Sequence, residues 1–161
     1  MIGSSSADVR LSGNFEICGE TFLPRKISGA IYAERFDDYS NCFLHEKRGS
    51  GIPAVFSKQD GSWIRFASLD FAVGISRCSV IAQGAHNSRI EIRLDAPDGA
   101  LAGIIEIPNT GDFCSYELNP SSPRRLPAWA YAETELKKIS GIHDLFLIFF
   151  GNTGIWQIDL R

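Results

Sequence analysis

The sequence predicts an all-β chain folded as a two-sheet antiparallel β-sandwich, and three observations carry that prediction. Arg89 to Asp95 reads RIEIRLD, with Ile90, Ile92 and Leu94 on one face of an extended chain and Arg89, Glu91, Arg93 and Asp95 on the other. This half-buried strand enters Ala96-Pro97-Asp98-Gly99, a tight reversal, and continues into the β-rich run Leu101 to Ile107, so the two form a hairpin. Elsewhere short apolar runs alternate with Gly, Pro and Asp, and no convincing long helical pattern interrupts them.

Taken in order, residues 1–28 open on a Ser-rich stretch but carry Phe15, Ile17, Phe22 and Leu23. They read as an N-terminal extension, ordered after a short loose tail, ahead of a sandwich over 29–161. Strands are then expected over Ile31 to Glu34, Trp63 to Phe66, Ser68 to Phe71, Cys78 to Ala82, Arg89 to Asp95 and Leu101 to Ile107. Three more follow over Tyr131 to Leu136, His143 to Phe150 and Ile155 to Leu160. Trp63 and Phe66 sit in an apolar run and are expected in the core. Glu91 and Arg93 are expected in solvent, because a one-residue slip would bury four charges. Residues 117–127, ELNPSSPRRLP, carry three prolines and two adjacent arginines. They cannot form a central strand and read as an insertion in a surface loop.

A chain of 161 residues suits one domain with a real core. Sixteen basic against 19 acidic residues, with no basic run longer than Arg124-Arg125, leave no electrostatic footprint for nucleic acid. The longest strongly apolar stretch, Leu145 to Phe150, is six residues, far short of the roughly twenty of a membrane helix. It reads instead as a central core strand. The start MIGSSSADVR lacks the pattern of a secretory signal, so the chain is read as part of a longer exported protein or as intracellular. Cys18, Cys42, Cys78 and Cys114 are far apart, which argues against zinc and fixes no disulfide framework. Cys78, inside an apolar strand, reads as a buried small hydrophobe.

Catalysis would need a nucleophile with a base, two carboxylates, or a metal-activated water. His45 and His86 lie in apparent loops with no partner at ligand spacing, and His143 stands at the entry to a core strand. Carboxylate pairs such as Asp37-Asp38 or Glu133 and Glu135 have no flanking motif that marks them as catalytic.

The stretch RIEIRLDAPDGALAGIIEIPNTG at 89–111, with GSWIRFASLDF at 61–71 and SGIHDLFLIF at 140–149, closely resembles the family 6 carbohydrate-binding modules. The resemblance runs from about Ile31 to the C-terminus and rests on several separated motifs in the right order. It implies a jelly roll of galactose-binding-like type, non-catalytic, that holds an appended glycoside hydrolase on a polysaccharide. The partners implied are a polysaccharide or oligosaccharide and a neighbouring catalytic domain, with no nucleic acid and no membrane. The setting implied is extracellular or periplasmic, within a larger secreted protein. The alternative is a module of the same fold that has lost sugar binding and serves as a structural domain of the parent enzyme.

Sugar rings lie on flat aromatic side chains through their C–H faces, while their hydroxyls require planar polar groups. Eleven phenylalanines, four tyrosines and three tryptophans exceed what a core needs. The resemblance implies an edge cleft in which a sugar lies between a tyrosine ahead of a Gly-Asp-Trp motif and a tryptophan after the hairpin, with an asparagine near the C-terminus. Here Gly61-Ser62-Trp63 matches the motif, Ser57 stands where the tyrosine belongs, Phe113 matches the tryptophan and Gln157 the asparagine. One wall of that platform is therefore missing. Trp129 and Tyr131, at the end of the insertion, either replace it or fold back over apolar surface. Family members also have a second cleft on the concave sheet face.

The resemblance further implies a structural calcium ion between first and last strands, held by Glu34 and Asp159. Tyr32 stands where the family usually has Gln or Glu. The alternative is that Glu34 pairs with an arginine such as Arg35 or Arg161.

Overall fold

The computed structural model describes residues 24–27, 29–46, 51–72, 74–111 and 129–161. Twelve strands are described: β1 Arg25–Lys26, β2 Ala30–Tyr32, β3 Asp38–Ser40, β4 Cys42–Glu46, β5 Pro53–Ser57, β6 Ser62–Asp70, β7 Ile75–Gly84, β8 Arg89–Leu94, β9 Ala100–Glu106, β10 Ala130–Ile139, β11 Ile142–Phe150 and β12 Thr153–Leu160. They form two six-stranded sheets. Sheet A runs β1-β6-β11-β8-β9 with β3 also on β6, and sheet B runs β10-β7-β12-β5-β4 with β2 also on β12. Every pairing is antiparallel except that of β1 with β6. The expected sandwich is the fold.

The core lies between the sheets. Ile64 and Phe66 of β6, Ile90 and Ile92 of β8, and Leu145, Leu147 and Phe149 of β11 enter it from sheet A. Cys78, Val80 and Ala82 of β7, Val55 of β5, and Ile155 and Ile158 of β12 enter it from sheet B. As expected, β11 is the central strand of sheet A, which explains its unbroken apolar run: Phe146 and Ile148, on the opposite face, are also 5 % exposed.

Several expectations are corrected. Trp63 is not in the core. Ser62, Ile64 and Phe66 alternate inward, so Trp63 projects from the other face of sheet A and packs its ring 5.2 Å from that of Phe146. Glu91 faces outward but is not solvated: its side chain is only 12 % exposed, clamped by Arg93 at 2.7 Å and Arg89 at 3.4 Å. The strands expected at 63–66 and 68–71 are one strand, β6, with an irregularity where Ser68 takes a positive φ. Two carboxylates satisfy the amides exposed there, Asp37 accepting from the Ala67 amide at 2.7 Å and Asp144 from the Ser68 amide at 2.8 Å. The strand expected over Ile31 to Glu34 ends at Tyr32 as β2, and Glu34 lies in the 3-10 turn over Ala33–Arg35 that follows it.

β1, β3, β4 and β5 are additional to the sequence expectation. In β5, Ala54 to Ser57 are all buried, so the strand shows none of the alternation that reveals a half-exposed one. Cys78 is buried as expected, and Cys42 with it; burial raises both thiols from 9.0 to about 12. Cys18, Cys114, Tyr116 and the 117–127 insertion lie outside the described residues.

Candidate functional site

The pairing of sheet B fixes what stands on its outer face. Because Cys78, Val80 and Ala82 point into the core, Ser79 and Ile81 point out. Ile81 lies between Tyr131 of β10 and Gln157 of β12, and Gln157 faces Tyr32 of β2. One row further, Ser79 lies between Glu133 and Asp159, and Asp159 faces Ala30. A bulge sets this register: Trp156 is the extra residue between the pairs Ile155 with Ala82 and Gln157 with Ile81. Its ring sits 5.2 Å from that of Tyr32.

A pocket of about 120 Å³ results, lined by Tyr131, Ser79, Ile81, Gln157, Asp159 and Arg161 among others. Tyr131 is 58 % exposed and donates its hydroxyl to Glu133, which also pairs with Arg77 at 3.2 Å. Arg161 donates from Nε to Asp159 at 2.7 Å and from Nη2 to the Ser79 hydroxyl at 3.1 Å. The hydrogen bond that Arg161 donates to Asp159, and then the one it donates to Tyr131, hold its guanidinium above its usual pKa. Each charge at the pocket thus faces an opposite one. An exposed ring beside an amide and a carboxylate–guanidinium pair offers a stacking surface and hydrogen bonds to a neutral polyhydroxylated ligand.

One row beyond lies a second aromatic group. The Phe56 ring is 5.6 Å from Phe43 and 6.0 Å from Trp129, and Phe56 is only 2 % exposed. Gly154, which pairs with Phe56, makes this possible: a Cβ there would lie 2.2 Å from the Phe56 ring. The two insertion aromatics therefore part company, Trp129 folding over Phe56 and Tyr131 facing solvent.

Of the residues expected at the edge cleft, Ser57 and Gln157 lie apart. Ser57 is 7 % exposed; its hydroxyl donates to the Gly151 carbonyl at 3.2 Å and accepts from the Thr153 amide at 3.2 Å. It ties β5 to the β11–β12 turn and lines no platform. Gln157 lies mid-strand in the sheet-face pocket, beyond the row of Ser57, and Phe113 lies outside the described residues. Sequence reasoning did not select Ser79, Ile81 or Arg161. The alternation of Cys-Ser-Val-Ile-Ala at 78–82 placed Ser79 and Ile81 together, but Ile81 reads as core until Tyr131 and Gln157 are known to flank it.

The carboxylates expected to hold calcium do not converge. Asp159 and Glu34 lie on opposite sides of the Tyr32–Gln157 pair, on the order of 10 Å apart along the strand direction. Asp159 is paired with Arg161 and Glu34 with Arg35 at 3.5 Å, the alternative foreseen for Glu34. Tyr32 supplies a ring against Trp156 where the family has an oxygen donor. The residues present do not fit the ion, and no three His, Cys, Asp or Glu side chains among the described residues group around a metal-sized space. The carboxylate pairs also stay apart, Asp37 and Asp38 beside β6 of sheet A, Glu133 and Glu135 on β10 of sheet B. His143 places Nδ1 2.9 Å from Asp95 and Nε2 3.1 Å from the Ser140 carbonyl, a structural clasp.

Comparison with known proteins accords with this architecture. The chain is 27 % identical over 137 residues to endo-1,4-beta-xylanase A of Thermoclostridium stercorarium, covering 83 % of this chain and 24 % of that protein. It is 30 % identical over 143 residues to an arabinoxylan arabinofuranohydrolase of Bacillus subtilis, covering 81 % and 25 %. The chain thus spans about a quarter of the length of these relatives. A family 6 module from Clostridium stercorarium, solved in complex with cellobiose, superposes with a TM-score of 0.72 at 21 % identity, over 86 % of this chain and 97 % of that one. A module of a different family, CBM36, solved with calcium and xylotriose, is similar at a TM-score of 0.57 and 9 % identity, over 82 % and 98 %. The model of the carbohydrate binding module (family 6) matches residues 32–161, and the chain belongs to that family.

Proposed function

We propose that this chain is a non-catalytic module that binds a neutral glycan on the outer face of sheet B and holds an appended glycoside hydrolase on its polysaccharide. The observation that carries the reading is Tyr131, an exposed ring in one pocket with Gln157, Asp159 and Arg161. Its relatives include a xylanase and an arabinoxylan arabinofuranohydrolase, each about four times the matched length, which supports a neighbouring catalytic domain. The setting proposed with it is extracellular or periplasmic. The module proper would occupy 29–161, after an extension over 1–28. Calcium has no part at Glu34 and Asp159, whose carboxylates are engaged by arginines.

Affinity electrophoresis in gels containing xylan or mixed β-glucan tests the reading. The wild type is retarded and Tyr131→Ala is not. Equal mobility of the two in every gel would overturn it. The second reading, a scaffold that no longer binds sugar, is favoured by the burial of Ser57, which removes one wall of the edge cleft; it predicts no retardation of either.

A further inference from the structure

Trp129 directly precedes β10, and Phe56 lies on β5, with β7 and β12 between them in sheet B. Three strand spacings separate such positions by about 14 Å at the backbone. The ring centroids are 6.0 Å apart. Both rings therefore reach inward over the intervening strands, above Gly154 and above Gln83, which is 4 % exposed. Phe43 extends the same row at 5.6 Å from Phe56. The row is a bar laid across the outer face of sheet B. It closes the face immediately beyond the row of Tyr131, Ile81 and Gln157.

From this we propose that the sheet-face pocket takes the terminal sugar of a glycan chain and not an internal stretch, an inference that rests on the sugar-binding reading of the same pocket. A groove for an internal stretch must be open at both ends. This one ends at the row of Tyr131, Ile81 and Gln157, with the Trp129–Phe56 bar crossing the sheet one row beyond, and its volume of about 120 Å³ is below the roughly 300–1,000 Å³ of a typical small-molecule site. A ring or two fill it. The remainder of the chain leaves past Asp159 and Arg161, away from the bar.

The test is an NMR titration of the wild type with xylose, xylobiose, xylotetraose and xylohexaose, and with the matching cello-oligosaccharides. In the better-bound series, affinity changes by less than about threefold from disaccharide to hexasaccharide, and a long soluble chain binds one module whatever its length. Trp129→Ala opens the bar, and its affinity then rises with ligand length. A wild-type affinity that climbs about tenfold or more between disaccharide and hexasaccharide, or several modules bound per long chain, overturns the inference while sparing the sugar-binding reading. Absence of binding to every sugar overturns both. The wild-type series decides the matter even if Trp129→Ala does not fold.

Discussion

The Thr153 amide donates to the Ser57 hydroxyl at 3.2 Å across 96 residues of sequence. The same hydroxyl donates to the Gly151 carbonyl, so one small side chain fastens the end of β5 to the β11–β12 turn. A position that the family resemblance assigns to a sugar-stacking tyrosine has become a structural clamp. The proposed function accordingly assigns recognition to another surface.

Ser57→Ala is expected to lower stability by roughly 1 kcal/mol, because it leaves a buried amide without an acceptor, and to leave glycan affinity as it was. Urea denaturation and titration of the same variant check both halves. A loss of affinity with no loss of stability would return Ser57 to the binding site.

Gly154→Ala is expected to cost about 1–3 kcal/mol. Its Cβ would meet the Phe56 ring at 2.2 Å, and that ring is held between Phe43 and Trp129. Thermal melting reads the loss, and a shift in Trp fluorescence reports movement of the bar. An unchanged melting temperature would mean that Phe56 does not lie over Gly154.

Calcium is expected to leave the melting temperature unchanged, with chelator or at saturating metal. A bound ion would stabilise the native state by mass action. Here Asp159 is paired with Arg161 and Glu34 with Arg35. A calcium-dependent rise that Asp159→Ala abolishes would show that the carboxylates exchange their arginines for the metal.

Alkaline pH is expected to destabilise the fold through Cys42 and Cys78. Burial raises both thiols to about 12, with the Asp159 charge adding to the effect at Cys78. A raised folded-state pKa gives a contribution that is complete below the unfolded value of 9.0 and is lost as pH rises toward 12. The slope of stability against pH in that window is therefore shallower in Cys78→Ala than in the wild type. Equal slopes would mean that Cys78 ionises as easily folded as unfolded.

The β8–β9 hairpin and β11 were legible in the sequence because each shows its burial directly, by alternation in Arg89–Leu94 and by an unbroken apolar run in Leu145–Phe150. β5 was not, because Ala54 and Phe56 are buried under other side chains on the face away from the core. Trp63 was misplaced because size was read ahead of alternation: Ser62, the smaller residue, is the buried neighbour. At the site, Gln157 was selected by resemblance and Tyr131 as an aromatic at the end of the insertion, but their meeting depends on the bulge at Trp156. A one-residue offset in β12 leaves no mark on apolar periodicity.

The most direct test is where a bound sugar perturbs the amide spectrum. Titration of ¹⁵N-labelled protein with xylo- or cello-oligosaccharides is expected to shift the amides of Ser79, Ile81, Tyr131, Gln157 and Asp159, and Tyr131→Ala is expected to weaken binding by about 1–3 kcal/mol, the worth of one stacked ring by analogy with bases on aromatics. Shifts confined to Asp60, Asn87, Asn109 and Asn152, in the loops beside Ser57, with affinity intact in Tyr131→Ala, would contradict the sheet-face site.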